Sequence, residues 1–155
     1  RNTRSEVTKA PIYYFVDVGV RNWLLGLFGL PEIPQPFSGH LFENVIFNVL
    51  RSQTEFTPTH IHFWRTKDQA EVDFVLERGV EVIPIETKCT TILTLKIPRS
   101  LRSFLAKYKP ARGYVVHIGS EQKQEMVGDT AIRLMPYYHL IFQRWEFTQS
   151  ATVSA

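Results

Sequence analysis

Two acidic residues and a lysine lie close together in the sequence, with a spacing that suits metal-dependent hydrolysis. Asp73 lies in the run EVDFVL, and Glu86 and Lys88 lie in the run EVIPIETK that follows it. Proteins bind Mg²⁺ through one or two carboxylates while the ion keeps several waters. A nearby ammonium group can orient one of these waters or help to deprotonate it. The three residues therefore predict a Mg²⁺ or Mn²⁺ site with Asp73 and Glu86 as ligands and Lys88 beside the water.

The alternation of apolar and polar residues predicts that these two runs form a β-hairpin. Side chains alternate along a strand, so Glu86 and Lys88 share one face. The opposite face is apolar and, on the first strand, is formed by Val72, Phe74 and Leu76. With a two-residue turn at Arg78-Gly79, Asp73 pairs with Pro84 and lies diagonal to Glu86, roughly 7–8 Å away at the backbone. We therefore predict Asp73, Glu86 and Lys88 on one face of adjacent antiparallel strands.

A helix predicted from Ser38 to about Ser52 carries a further acid. Ser38 is a suitable N-cap. The apolar residues of this helix fall on one broad stripe, formed by Leu41, Phe42, Val45, Ile46, Val49 and Leu50. Glu43 falls on the border of that stripe, from where its carboxylate can either lean toward the acids of the hairpin or remain exposed. The sequence pattern alone favours the exposed position.

Basic residues flank the predicted acid cluster. Arg65 and Lys67 lie at the turn before the hairpin, and Arg99 and Arg102 lie on the polar face of a helix predicted from Pro98 to about Lys109. Side chains of this type bind phosphates in nucleic-acid complexes. Solvated surface charge is the alternative explanation.

The rest of the chain predicts further strands and helices around these elements. We expect a buried strand, or the approach to one, at residues 12–16. After the hairpin we expect a buried parallel strand at residues 113–118, reached by a helical crossover, then a polar loop at 121–128, a strand at 131–135 and a closing helix at 136–142. Residues 1–9 are expected to be a linker or the edge of a preceding domain, and residues 148–155 a frayed tail.

Length and composition restrict the class of protein. The 155 residues suit one globular domain, residues 1–155, with 44% hydrophobic and 21% charged residues. A formal charge of +3 leans slightly toward an anionic partner, and the single Cys89 excludes an internal disulfide, which favours the cytoplasm. The sequence has no run long enough to span a membrane and no GxxxxGK[ST] phosphate loop, so we expect neither a membrane protein nor an ATPase in this segment. The absence of an initiator Met before Arg1 suggests a piece of a longer protein.

Four blocks occur in the same order as in a known family. They are GHLFEN at 39–44, FWRTK at 63–67, EVDFVLERG at 71–79 and PIETK at 84–88. From about Tyr13 to Leu140 the chain resembles the C-terminal domain of unknown function that follows an AAA-type ATPase module in many predicted prokaryotic ATPases. That domain is similar in turn to the PD-(D/E)xK restriction-endonuclease-like superfamily. Val72 stands where the superfamily motif has Pro.

The resemblance implies a fold, a set of site residues and partners. The fold is α/β, restriction-endonuclease-like, with an αβββαβ core and a mixed sheet flanked by helices. Glu43 would join Asp73 and Glu86 as a metal ligand, and these three acids with Lys88 would be the catalytic residues. DNA would be the substrate, and an N-terminal AAA-type ATPase module would precede the domain in the parent chain.

Three hypotheses of function follow. The first is a Mg²⁺-dependent phosphodiesterase that acts on DNA. The second is a non-catalytic module that binds nucleic acid or a protein partner and keeps the nuclease fold. The third is a structural domain in which Asp73, Glu86 and Lys88 form an ion-pair cluster. Because a fold does not determine a function, the geometry of the acids must separate them.

Overall fold

A mixed six-stranded sheet forms the centre of the fold. The structure is a computed structural model that describes residues 12–67 and 69–142, so the predictions for residues 1–9 and 148–155 lie outside the described residues. In chain order the strands are β1 (His60–Arg65), β2 (Glu71–Arg78), β3 (Glu81–Lys88), β4 (Arg112–His117), β5 (Lys123–Val127) and β6 (Thr130–Pro136). They lie in the order β1-β2-β3-β4-β6-β5. Antiparallel pairs join β1 to β2, β2 to β3 and β5 to β6, whereas β3, β4 and β6 run parallel.

Helices flank this sheet in the predicted order. They are α1 (Val18–Leu24), α2 (Phe37–Thr54), α3 (Arg99–Tyr108) and α4 (Tyr137–Phe142). The series α2, β1, β2, β3, α3, β4 is the predicted αβββαβ core, and the prediction of a mixed sheet flanked by helices is confirmed. None of the described helices has the length and apolar content needed to cross a membrane.

The sheet has a hydrophobic cluster on each face. One cluster packs α2 against the central strands and includes Phe42, Ile46, Leu50, Phe74, Leu76, Ile83 and Ile85. The other packs α3 against the opposite face and includes Leu101, Phe104, Leu105, Val75, Val115, Ile132 and Leu134. Burial on both faces explains why β4 reads as a continuous apolar run rather than an alternating one.

The predicted hairpin forms, but its turn lies one residue later than expected. Arg78 pairs with Glu81, so the turn residues are Gly79 and Val80, and Phe74 pairs with Ile85. The predicted pairing of Asp73 with Pro84 is wrong, since Pro84 pairs with Val75. Gly79 has φ +62°, a conformation in which glycine has no Cβ penalty.

A β-bulge lies at Asp73. Two steps along β1, from His62 to Trp64, correspond to three steps along β2, from Val75 to Val72. Val72 and Phe74 therefore pack into different hydrophobic clusters, although strict alternation would place them on one face. The predicted apolar face is thus correct for Phe74 and wrong for Val72.

Three local predictions need correction. The main helix α2 begins at Phe37 with Pro36 in the cap position and no side-chain cap, so Ser38 is not its N-cap. Residues 12–16 form no strand, and β5 occupies a stretch expected to be a loop. The N-cap of α1 is Asp17, whose carboxylate accepts hydrogen bonds from the amides of Gly19 and Val20.

Two glycines provide a test of packing. A Cβ at Gly113 would lie 2.8 Å from Cδ1 of Ile132 and 2.9 Å from Cγ of Pro84, whereas one at Gly39 in α2 would meet only a side-chain oxygen of Gln35 at 3.6 Å. We expect Gly113→Ala to lower the free energy of unfolding by about 1–3 kcal/mol through overpacking. Gly39→Ala should raise it by roughly 0.5–1 kcal/mol, because alanine favours a helix. Urea denaturation of both variants checks this, and equal effects at the two positions would contradict the described packing around Gly113.

Candidate active site

The four residues predicted to be catalytic line one cavity. This cavity has a volume of about 590 Å³ and is lined by Glu43 from α2, Asp73 from β2, and Glu86 and Lys88 from β3. Other residues on its wall include His40, Glu71, Thr87, Cys89, Pro98 and Ser100. The structure therefore brings together the acids of three different elements with the lysine, in an open pocket rather than within the core.

Asp73 is held in place by Thr87. Its Oδ2 atom accepts hydrogen bonds from the backbone amide of Thr87 at 2.6 Å and from the Thr87 hydroxyl at 2.8 Å. Burial raises the pKa of Asp73, while the two bonds from Thr87 and the charge of Lys88 act in the opposite direction. Thr87 was not predicted as a site residue. Its position between Glu86 and Lys88 is the signal that could have identified it.

Glu86 is a buried carboxylate with one oxygen unsatisfied. The residue is 5% exposed, and its Oε1 atom accepts a hydrogen bond from Nζ of Lys88 at 2.7 Å. Its Oε2 atom has no hydrogen-bond partner within the part of the chain that the structure describes. Burial raises the pKa of Glu86 to about 7, the charge of Asp73 adds to this, and Lys88 opposes both effects.

Lys88 stays charged in this environment. Burial lowers the pKa of Lys88, but the hydrogen bond and charge of Glu86, with the charge of Asp73, outweigh burial and raise the pKa above its usual value. Glu86 and Lys88 thus each favour the charged form of the other. For Glu86 the effect of burial is larger, so its net shift is toward the neutral acid.

Glu43 turns toward the acids rather than into solvent. Its Oε1 atom accepts a hydrogen bond from the hydroxyl of Tyr14. Burial raises the pKa of Glu43, the bond from Tyr14 lowers it, and the charge of Asp73 raises it again, which places the two carboxylates within electrostatic reach. Tyr14 was not predicted as a site residue, and nothing in its apolar sequence context distinguishes it.

The four basic residues predicted to contact nucleic acid lie in different environments, and none of them lines the main cavity. Arg65 donates from Nε to Oε2 of Glu71 at 2.7 Å, so it forms an ion pair at the cavity wall. Lys67 is exposed at the turn. Arg99 lines an adjoining cavity of about 490 Å³ that shares Ser100 with the first. Arg102 is exposed and donates from Nε to the carbonyl of Ile97 at 3.3 Å.

His62 and the acids of the cavity differ in whether they could hold a metal ion. His62 on β1 pairs with Glu77, with 2.9 Å between Nε2 and Oε2. Among residues 12–67 and 69–142, no group of three or more His, Cys, Asp or Glu side chains is arranged to hold a metal ion. A Mg²⁺ site needs only one or two carboxylates with waters. The buried Glu86, with one unsatisfied oxygen, and the half-buried Asp73, beside one lysine, fit that donor set, because a divalent cation would offset the uncompensated negative charge.

Glu86 should make the stability of the metal-free domain depend on pH. Its pKa is about 7 in the folded state, against 4.5 for the group in its ordinary range. A carboxyl group with a raised folded pKa contributes its stability fully at low pH and loses it as the pH rises through the folded pKa. At about 1.4 kcal/mol per pKa unit, we expect the free energy of unfolding to fall by about 3 kcal/mol between pH 4.5 and 7. Denaturation in EDTA at a series of pH values measures this.

Two comparisons test the assignment of this pH dependence. Glu86→Gln should make the profile shallower, with the raised pKa values of Asp73 and Glu43 accounting for the remaining slope. The same change at the exposed Glu125 should leave the profile unchanged. Saturating Mn²⁺ should also flatten the profile, because a bound cation stabilises the ionised carboxylate. A parent profile that is already flat from pH 4.5 to 7 would contradict the raised pKa.

Comparisons with known proteins place the chain in a family. The family model described as "Domain of unknown function (DUF4143)" matches residues 38–138, more than half of the chain. Uncharacterized proteins of Mycobacterium bovis and Mycobacterium tuberculosis are each 29% identical over 115 residues, which is 74% of this chain and 25% of each relative. The chain thus spans about a quarter of the length of these curated relatives.

A solved structure gives a more distant match. A chain in the half-complex from the tetradecameric assembly of Thermococcus gammatolerans McrB AAA+ hexamers with bound McrC is similar with a TM-score of 0.46 and 15% identity, over 63% of this chain and 27% of that chain. The family match has a firmer basis, because it covers α2, the hairpin with the acid cluster, α3 and the remaining strands. On that match, the chain belongs to the DUF4143 family.

Proposed function

We propose that this domain hydrolyses phosphodiester bonds in DNA with the help of Mg²⁺ or Mn²⁺. Asp73 and Glu86 are the proposed ligands, Glu43 assists them, and Lys88 orients the attacking water. The observation that carries the proposal is the unsatisfied Oε2 atom of Glu86, buried on the wall of the cavity. Burying a carboxylate oxygen without a hydrogen-bond partner is costly, and a bound cation would remove that cost.

The residues of this chain have separate roles in the proposed reaction. The metal, when bound, would stabilise the charge that develops on the phosphate and lower the pKa of a bound water. Thr87 fixes the rotamer of Asp73 through two hydrogen bonds, which leaves Oδ1 for other interactions. Lys88 is held by Glu86, and its side chain is 41% exposed, so its remaining N–H donors can orient a water or a phosphate oxygen.

Charge around the cavity favours a polyanionic substrate. Arg99 and Ser100 lie where the two cavities meet, and Lys67 is exposed nearby on the turn that precedes β2. Phosphate contacts of this type position a nucleic acid without reading its sequence. The proposal therefore assigns Arg99, Arg102, Lys67 and Arg65 to backbone contacts, with Arg65 also bound to Glu71.

A second candidate is a non-catalytic module that binds nucleic acid or a protein partner. It is supported by the ion pair between Nζ of Lys88 and Oε1 of Glu86, which pairs these two charges without a metal. The domain also spans only about a quarter of the length of its relatives, which agrees with a module that serves another part of a longer protein. In that case the domain would serve an AAA-type ATPase module of a longer cytoplasmic protein, and the acids would form an ion-pair cluster with Lys88.

Metal binding and cleavage together separate the two candidates. Calorimetry with Mn²⁺ should detect binding to the parent domain, and linear and supercoiled DNA should be cleaved in Mg²⁺ or Mn²⁺ but not in EDTA. DNA affinity should fall as salt rises, because phosphate contacts release counterions. A domain that binds DNA but neither binds Mn²⁺ nor cleaves would overturn the nuclease proposal in favour of the binding module.

A further inference from the structure

We propose that Tyr14 is a positioning residue that holds the carboxylate of Glu43 at the acid cluster. The inference rests on the proposed function, since it assigns Glu43 a part in binding the cation. Its basis is the hydrogen bond from the Tyr14 hydroxyl to Oε1 of Glu43, between residues 29 positions apart in the sequence. Glu43 also lines both the main cavity and a smaller one of about 190 Å³ that Asp73 shares.

The ring of Tyr14 is fixed by three aromatic neighbours. It stacks on Phe47 with 4.3 Å between ring centroids and an interplanar angle of 16°. Phe63 and Phe74 lie 5.8 Å and 5.9 Å away. Aromatic contacts at these distances stabilise one ring orientation. The hydroxyl is therefore aimed at Glu43 by packing on α2, β1 and β2, so the hydrogen bond does not have to order a free side chain.

The backbone around Tyr14 is clamped to the helix that carries Glu43. The side chain of Asn44, 2% exposed, accepts from the amide of Phe15 at 2.9 Å and donates to its carbonyl at 2.7 Å. Nδ2 of Asn48 donates to the carbonyls of Phe15 and Val16 at 2.9 Å and 3.0 Å. Residues 12–16 thus form a strap, bound at Phe15 and Val16 to the residues of α2 that lie one and five positions beyond Glu43.

This arrangement explains why a residue on the border of the apolar stripe points toward the cavity. Burial, together with the hydrogen bond to Glu43, raises the pKa of Tyr14, so its hydroxyl remains a donor. The bond uses Oε1 of Glu43, and no other residue within 12–67 or 69–142 forms a hydrogen bond to Oε2. A donor that fixes one oxygen of a ligating carboxylate and leaves the other available is a common outer-shell partner of metal ligands.

Tyr14→Phe tests the proposal, because it keeps the stacked ring and removes only the hydroxyl. We expect its affinity for Mn²⁺, measured by calorimetry, to fall by about tenfold, as is typical for loss of an outer-shell partner. DNA cleavage should lose kcat with little change in KM. Tyr13→Phe is the matched control, since Tyr13 is 79% exposed and should tolerate the change.

A double-mutant cycle with Glu43→Gln distinguishes positioning from a general structural role. If Tyr14 acts through Glu43, Tyr14→Phe should cause no further loss of Mn²⁺ affinity in the Glu43→Gln background. The same loss in both backgrounds, or an unchanged affinity in Tyr14→Phe alone, would overturn the role of Tyr14. A parent that binds no Mn²⁺ would instead overturn the proposed function, and the inference with it.

Discussion

Asp73→Asn is expected to abolish metal-dependent DNA cleavage while the domain stays folded. The change keeps the volume of the side chain but removes one of the two negative charges proposed to hold the cation. Loss of a preorganised charge at a site of this kind lowers the rate by roughly a hundredfold to a thousandfold, and loss of the ion itself by more. The cleavage rate at saturating Mn²⁺ and the affinity for Mn²⁺ should therefore fall together.

The fold should survive this change for a reason visible in the site. The side-chain oxygen of an asparagine can still accept the hydrogen bonds that Asp73 receives from the amide and hydroxyl of Thr87. The variant also loses the charge that raises the pKa of Glu86. The metal-free variant should thus be at least as stable as the parent at pH 7, and its pH-dependent loss of stability should be smaller.

The exposed Asp129, in the turn between β5 and β6, provides a matched control. Asp129→Asn makes the same chemical change away from the cavity and should leave cleavage, Mn²⁺ affinity and stability unchanged. If the parent cleaves DNA and Asp73→Asn cleaves at the same rate, Asp73 is not a ligand. The acid cluster would then be structural, and the binding-module candidate would take its place.

The sequence predicted the elements of this fold well where hydrophobic periodicity was strong. In α3, Leu101, Phe104 and Leu105 are buried as their spacing requires, and β4 is a parallel strand reached by a helical crossover. The strand β5 was missed because it lies at the sheet edge, with Lys123 to Met126 all exposed, and its polar composition resembles a loop. An edge strand without a buried face carries little periodic signal.

The proximity of the acids was also predicted, but through a partly incorrect register. The turn lies at Gly79 and Val80 rather than at Arg78 and Gly79, which moves the pairing of residues 74–78 by two residues and so keeps their predicted faces. Asp73 lies at the bulge beyond this pairing, so the predicted face that it shares with Glu86 and Lys88 does not follow from the register. The bulge at Asp73 could not be foreseen, because a bulge depends on how β1 pairs with β2. This bulge interrupts the alternation of side chains at Asp73, one of the two proposed metal ligands of the hairpin.

The contacts that orient the acids were not predictable from local pattern. The bond from Tyr14 to Glu43 spans 29 residues, and the bonds from Thr87 to Asp73 span 14. Both depend on tertiary packing, and neither Tyr14 nor Thr87 belongs to a residue type that draws attention as a metal ligand. The chemistry of the acids was therefore more accessible to sequence reasoning than the means by which the fold holds them.

Lys88→Ala should separate metal binding from the chemical step. Nζ of Lys88 lies 2.7 Å from Oε1 of Glu86, and an ammonium group supplies no ligand atom to a cation. Its proposed role is to orient the attacking water, and misplacing a reacting group costs about a hundredfold in rate. We expect the rate at saturating Mn²⁺ to fall by that factor while Mn²⁺ binding is retained.

The conditions of this measurement follow from the electrostatics of the pair. Without Lys88, Glu86 loses the group that lowers its pKa, so its pKa will rise further above about 7 and protons will compete with Mn²⁺ near neutral pH. Binding and cleavage should therefore be compared at pH 8 to 9, with the exposed Lys96→Ala as the matched control. Parallel losses of affinity and rate at that pH would mean that Lys88 only keeps Glu86 ionised. A fall in rate with unchanged Mn²⁺ affinity would instead place Lys88 in the chemical step. In that case the bound cation keeps Glu86 ionised, so the lost rate cannot come from protonation of Glu86.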